Sequence, residues 1–125
     1  MVEKRSYPRI EGILPLKLSG SESDIVTETK NISASGAYCI VCESVEPMTK
    51  LDMVLFMPAT KGSVKAVKKI CCKGVVIRSD RFEDNGRTSY CLGIYFSEIK
   101  ESDRKSIITY VNSALKESGH ISNVF

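Results

Sequence analysis

The alternation of apolar and polar residues along the first third of the chain predicts strands. Ile13–Leu18 alternates well enough for a half-buried strand, and residues 20–24 supply a polar turn after it. Ile25–Lys30 is rich in β-branched residues, and Ala37–Cys42 is a short apolar run directly after Gly36. The pattern therefore predicts three short strands separated by polar turns.

The middle of the chain predicts three further strands. Within Leu51–Met57 every second residue is apolar, and Pro58 is expected to end that strand. Val64–Ser79 fits one long or bent strand, a turn is expected at Asp84–Gly86, and Ser89–Phe96 is expected to be the hairpin partner of that long strand.

The period changes to that of a helix only after Ile99. Ser102 is a candidate N-cap and Gly119 a candidate C-cap. The apolar residues with helical spacing are Ile107, Ile108, Val111, Ala114 and Leu115. About six strands followed by one amphipathic helix predict an all-β fold with a terminal helix, namely a six-stranded antiparallel β-barrel with a C-terminal α-helix packed against it.

Composition and charge narrow the class of protein. A chain of 125 residues with 42% hydrophobic residues fits one ordinary globular domain. The formal charge of +3 is far below that of a typical nucleic-acid-binding domain, so nucleic acid is an unlikely partner. No stretch is long and apolar enough to span a membrane, which leads us to expect a cytoplasmic protein.

The candidate metal and catalytic residues do not form a convincing site. The five cysteines lie in apolar stretches, which favours reduced thiols. Cys39 and Cys42 have zinc-ligand spacing, but residues three apart on a strand point to opposite faces, so no metal site is expected. His120 is the only histidine, and no nucleophile and acid accompany it, so neither an enzyme nor a cofactor is expected.

Two arginines near the N-terminus are candidates for anion binding. Arg5 and Arg9 flank Pro8, which favours extended backbone before and at its own position. Over an extended chain, four residues span roughly 13 Å. The two guanidinium groups could therefore bind different groups of one ligand of nucleotide size, because each offers a planar fork suited to phosphate or to a guanine edge. A mobile charged tail is the alternative interpretation.

The segment NISASG is a second candidate for ligand binding. Asn31 offers an amide and a carbonyl, Ser33 and Ser35 offer hydroxyl groups, and Gly36 permits positive φ or close approach of a ligand to the backbone. Such a cluster can bind the edge of a base. An ordinary turn between two strands would use the same residues, so that interpretation also remains open.

The two segments together resemble the motifs of the PilZ domain family. Arg5-Ser6-Tyr7-Pro8-Arg9 matches RxxxR, and after 21 intervening residues Asn31-Ile32-Ser33-Ala34-Ser35-Gly36 matches the family's Asp/Asn-x-Ser-x-x-Gly. The resemblance covers roughly residues 3–116. It implies a six-stranded barrel with a C-terminal helix and binding of the bacterial second messenger cyclic di-GMP. Arg5 and Arg9 would bind its phosphates and guanine edges, whereas Asn31, Ser33 and Gly36 would hold a guanine.

The resemblance also implies an organisation and a function. Residues 1–11 would be an arginine arm, 12–118 the barrel with its helix, and 119–125 a tail. The chain would be a receptor or adaptor whose arm folds across cyclic di-GMP and changes the surface offered to an unidentified protein partner, for example in motility, biofilm or exopolysaccharide control. Two alternatives are a small barrel that binds single-stranded nucleic acid and a PilZ-like interaction module that binds no nucleotide.

Overall fold

The computed structural model describes residues 8–20 and 24–118, in which seven strands precede one helix. The elements in chain order are β1 (Arg9–Glu11), β2 (Pro15–Ser19), β3 (Asp24–Ser33), β4 (Gly36–Val41), β5 (Lys50–Lys61), β6 (Val64–Asp84), β7 (Arg87–Glu98) and α1 (Glu101–Ser118). The prediction of a strand-rich fold with one C-terminal helix is confirmed. The strand beyond the expected six is β1, which comes from the segment assigned to the arginine arm.

The strands form one antiparallel sheet that closes on itself. Their order is β1-β3-β2-β5-β6-β7-β4, and β3 also pairs with β4 to complete the barrel. The first part of β3 pairs with β2, and its last residues pair with both β1 and β4. The C-terminal end of β3 is therefore held between two strands, and one of them carries Arg9.

Alternation along the strands separates an inner from an outer face of the barrel. Side chains directly opposite one another on paired strands share a face, and each step of one residue changes it. The largest fully buried side chains lie on the inner face and on α1: Phe96, Leu14, Leu16, Leu18, Ile32, Met53, Leu55, Ile70, Leu92, Ile94, Ile107 and Val76. The apolar positions of the predicted strands thus form one continuous core.

Two predicted strands continue beyond their expected ends. Pro58 does not end β5, which runs on to Lys61. β2 pairs with β5 only over Asp52–Leu55, so Pro58 lies beyond that pairing on an edge, where its missing N–H group is tolerated. β6 likewise runs past Ser79 to Asp84, because this polar stretch pairs in continuous register with β7.

The turn between β6 and β7 has the expected chemistry. Asn85 and Gly86 both have positive φ, 52° and 77°, as a two-residue type I′ hairpin requires. The strand before this turn carries alternating charges, with ion pairs between Arg78 and Asp80 and between Arg81 and Glu83. The predicted turn and hairpin are confirmed.

The helix packs against the barrel through one apolar stripe. Ile107 and Val111 are buried in the core. Lys68 of β6 connects to the helix by a 3.5 Å ion pair with Asp103 and a 2.6 Å hydrogen bond to the Ser106 hydroxyl group. Because α1 begins at Glu101, Ser102 lies inside the first turn and the prediction of an N-cap there was wrong. The predicted C-cap, Gly119, lies outside the described residues.

The cysteines divide between the two faces of the sheet. Cys39 and Cys72 are buried, whereas Cys42 and Cys71 are exposed. Burial raises the pKa of both buried thiols to about 12, so they remain protonated at physiological pH. Within residues 8–20 and 24–118, no cluster of three or more metal-ligating side chains is found. None of the helical residues described forms an apolar segment long enough to cross a bilayer.

Candidate ligand-binding site

The strand β1 fixes Arg9 beside the polar segment at the end of β3. Arg9 pairs with Ser33, Ile10 with Ile32, and Glu11 with Asn31. Ile10 and Ile32 point into the core, so the residues that flank them on both strands lie on the opposite face of the sheet. The structure thus brings Arg9 together with Asn31 and Ser33 on the outer face of the barrel, whereas Arg5 lies outside the described residues.

Two rows of residues on the side of the sheet opposite the core cross the barrel at this point. The register of β1, β3, β4, β7 and β6 places directly opposed residues in each row. One row consists of Arg9, Ser33, Gly36, Tyr95 and Val75, and the other of Glu11, Asn31, Tyr38, Gly93 and Arg78. We call these ten residues the polar face.

The turn between β3 and β4 is held by its own hydroxyl groups. The Ser35 backbone N–H donates to Ser33 Oγ at 3.2 Å, and the hydroxyl groups of the two serines are 3.0 Å apart. Ser33 is 1% exposed, so its hydroxyl group stabilises the turn in this conformation. The predicted role of Ser33 in holding a guanine stays a prediction, and its structural role here is to shape the loop.

Contacts from β7 and from α1 support the same turn. The Phe96 backbone N–H donates to Ser35 O at 2.9 Å, and Arg104 Nη1 donates to Ala34 O at 3.0 Å. Arg104 Nε also lies 3.7 Å from a carboxylate oxygen of Glu101 within the helix. The carbonyl groups of the turn are therefore fixed by the barrel and by the helix.

Asn31 presents a polar atom whose bonding capacity is unused. Its Oδ1 is buried, and none of the described residues donates a hydrogen bond to it. An acceptor in that state costs roughly 1–3 kcal/mol relative to a hydrogen-bonded one, and buried polar groups in native proteins are almost always satisfied. Asn31 therefore has the property expected of a ligand-binding side chain, because its Oδ1 is an acceptor to which none of the described residues donates.

Gly36 has a structural reason to be glycine that differs from the expected one. A Cβ at this position would lie 2.2 Å from Ile94 O and 3.3 Å from Tyr95 Cα, both backbone atoms of β7. Its φ is not positive. Glycine is thus required here for close approach of β4 to β7, and direct contact of Gly36 with a ligand stays a prediction.

Tyr38 is a residue of the polar face that the sequence reasoning missed. Its ring lies over Gly93, with Tyr38 Cζ 3.4 Å from the position a Gly93 Cβ would take, and Arg9 Cζ lies 4.9 Å from the ring centroid. Arg78 lies at the β6 end of the row that contains Tyr38, and its Nε donates a hydrogen bond to Asp80 Oδ2 at 2.7 Å. The pKa of Arg78 is raised by this hydrogen bond, by the charge of Asp80, and further by its charge interaction and hydrogen bond with Tyr38.

The signal that could have indicated Tyr38 is its spacing. Tyr38 comes two residues after Gly36 on the same strand, so it shares the outer face with the NISASG cluster. Tyr95 is also exposed, at 52%, and lies next to Gly36 on the polar face. Both tyrosines therefore add aromatic surface to a site that the sequence showed only as charged and polar.

Solved structures with the same fold provide an independent comparison. The structure of the Bacillus subtilis inhibitor of motility, MotI/DgrA, superposes with a TM-score of 0.77 at 23% sequence identity, over 93% of this chain and 54% of that one. YcgR from Escherichia coli in complex with c-di-GMP gives 0.70 at 14% identity, over 94% and 49%. The MrkH–c-di-GMP complex from K. pneumonia gives 0.67 at 15% identity, over 94% and 55%.

These comparisons establish the fold and its extent. The chain spans about half the length of each of these three proteins. The comparison with curated proteins found no match. The model of the PilZ domain family matches residues 3–113, which include both arginines of the first motif and the whole of NISASG. The chain therefore belongs to the PilZ domain family.

Proposed function

We propose that this protein is a cyclic di-GMP receptor that binds the nucleotide on its polar face and regulates a protein partner. The observation that carries the proposal is Asn31 Oδ1, a buried acceptor to which none of the described residues donates a hydrogen bond. Asn31 lies on β3, next to β1, the strand that carries Arg9. Membership of the PilZ family supports the choice of ligand, as do two similar structures solved in complex with c-di-GMP, those of YcgR and MrkH. The role is binding rather than catalysis.

The residues present fit the chemistry of the ligand. Guanine presents N–H donors on its Watson–Crick edge, and Asn31 Oδ1 is an acceptor without a donor among the described residues. Arg9 is exposed and has a planar fork of donors that suits a phosphate or the O6 and N7 acceptors of guanine. An acceptor and a cation on neighbouring strands therefore complement a ligand that carries both guanine and phosphate.

Titration calorimetry with cyclic di-GMP tests this assignment. We expect wild-type protein to bind, Arg9→Ala to lose about 1.5–3 kcal/mol because a charged hydrogen bond is removed, and Asn31→Ala to bind about tenfold more weakly. Asn31→Ala should not lower the free energy of unfolding, because it removes a buried acceptor that has no donor among the described residues. Asn31→Asp, which keeps an acceptor, should bind more tightly than Asn31→Ala.

Controls separate this proposal from general attraction of anions. Arg81→Ala removes an exposed arginine of β6 that forms an ion pair with Glu83 outside the polar face, so it should bind like the wild type. A single-stranded oligonucleotide tests the nucleic-acid alternative. Absence of heat with cyclic di-GMP at high micromolar concentration would contradict the proposal, and so would equal losses in Arg9→Ala and Arg81→Ala.

The regulatory step is proposed to involve the arginine arm. In this proposal Arg5 binds the same ligand as Arg9, so the arginine arm covers the ligand and alters the surface that a partner protein contacts. Hydrogen exchange measured by mass spectrometry should then show stronger protection of residues 1–8 with cyclic di-GMP than without it. Arg5→Ala should abolish that difference, and equal protection in the two states would contradict the regulatory step.

A further inference from the structure

The side chain of Tyr38 forms the centre of the polar face, and its surroundings hold the ring in one place. Gly93, directly opposite on β7, leaves room for the ring to lie flat against the strand, with Tyr38 Cζ and Cε2 at 3.4 and 3.5 Å from the position a Gly93 Cβ would occupy. Covering a strand glycine with a cross-strand aromatic ring is a stabilising arrangement.

On the β6 side of the ring, the neighbouring charged residue is Arg78. Arg78 faces Gly93 across the β6–β7 pairing, and the Gly93 Cβ position is 3.3 Å from Arg78 Cβ. Arg78 is itself held by the 2.7 Å hydrogen bond to Asp80. The ring of Tyr38 therefore packs over the Gly93 backbone, and Arg78 lies on the β6 side of that glycine.

The near side of the ring contacts the guanidinium group of Arg9. The 4.9 Å from Arg9 Cζ to the ring centroid is within the range of a cation–π interaction. β1 has only three residues and pairs with β3 at its edge, so backbone pairing alone restrains the exposed side chain of Arg9 weakly. The ring supplies the missing restraint, because it gives the guanidinium group a preferred position.

We infer that Tyr38 is a positioning residue of the binding site, which holds Arg9 against the barrel before ligand arrives. The affinity part of this inference rests on the proposed function. Placing Arg9 in advance removes part of the side-chain entropy that ligand binding would otherwise cost. Tyr38 thus increases affinity through Arg9, and the aromatic ring is the part of the side chain that does so.

The test is a double-mutant cycle measured by titration calorimetry with cyclic di-GMP. Tyr38→Leu should weaken binding about 3- to 30-fold, the range that corresponds to a cation–π contact, whereas Tyr38→Phe, which keeps the ring, should stay within about twofold of wild type. In the Arg9→Ala background, Tyr38→Leu should change affinity by less than about twofold. An unchanged affinity of Tyr38→Leu, or an equal loss in both backgrounds, would overturn the inference.

A measurement without ligand separates this inference from the proposed function. Protons of the Arg9 side chain near the ring should be shifted upfield in the NMR spectrum of the free protein, and should move to ordinary values in Tyr38→Leu but not in Tyr38→Phe. If wild-type protein fails to bind cyclic di-GMP, the proposed function is wrong, but the shifts still decide whether Tyr38 positions Arg9. Ordinary Arg9 shifts in the wild type would overturn the inference.

Discussion

Gly36→Ala is expected to destabilise the protein by about 3 kcal/mol, the upper end of the cost of overpacking. The added methyl group would lie 2.2 Å from Ile94 O and 3.2 Å from Ile94 C. Both are backbone atoms of β7, so no change of rotamer can relieve the clash. β4 and β7 must separate where Gly36 pairs with Tyr95, which also disturbs the adjacent hydrogen bond from Phe96 N to Ser35 O.

Urea unfolding followed by circular dichroism measures this loss. Gly12→Ala is the matched control, because a Cβ there would lie 3.4 Å from Tyr110 Oη and 3.5 Å from Ile10 Cδ1, which are ordinary contacts with side-chain atoms. We expect its free energy of unfolding to stay within about 1 kcal/mol of wild type. Equal effects of the two substitutions would show that β4 and β7 can separate at Gly36 without loss.

Thr29→Val is the second substitution expected to have a large effect on stability. Thr29 is fully buried, and its hydroxyl group donates to Gly12 O at 2.6 Å and accepts from Leu14 N–H at 2.9 Å. Valine keeps the shape of threonine but leaves both backbone groups without this partner. At roughly 1–3 kcal/mol for each unsatisfied buried group, we expect a loss of about 3 kcal/mol.

The matched control for Thr29→Val is Thr27→Val on the same strand. Thr27 is half-buried, and its hydroxyl group donates one hydrogen bond, to Ile40 O at 2.7 Å. Water can replace part of that bond, so a loss of about 1 kcal/mol is expected. Urea unfolding of both variants tests the difference. Thr29 forms its two hydrogen bonds with the connection between β1 and β2. Similar losses would mean that the stability of this connection does not depend on the Thr29 hydroxyl group.

Local patterns predicted most of the elements because each strand and the helix carries its own periodicity or composition. Alternation located β2 and β5, a short apolar run located β4, the Asn85–Gly86 turn located a hairpin, and helical spacing located α1. The ends of strands were predicted less well. The extension of β5 past Pro58 depends on which edge of that strand has a neighbour, and this is a property of the complete sheet rather than of the segment.

The candidate site was likewise predicted where local motifs define it, and missed where the pairing of distant strands defines it. Arg9, Asn31, Ser33 and Gly36 were predicted from two short motifs, and the structure brings them onto adjacent strands. Tyr38 was not predicted, because its relation to Arg9 arises from the register of β1 with β3 and of β3 with β4. Pairing across several strands determines the partners of such a residue, and one segment of sequence does not contain that information.

The hydrogen bond from Arg104 to Ala34 O has a thermodynamic consequence for any partner of the helix. The turn that receives it lies between Ser33 and Gly36, so under the proposed function a ligand that shifts this turn would also shift its contact with α1. Linkage is reciprocal: if ligand favours the docked helix tenfold, about 1.4 kcal/mol, then displacing the helix must weaken ligand binding tenfold. Under that condition, a protein that captures α1 would weaken binding of the proposed nucleotide without touching it.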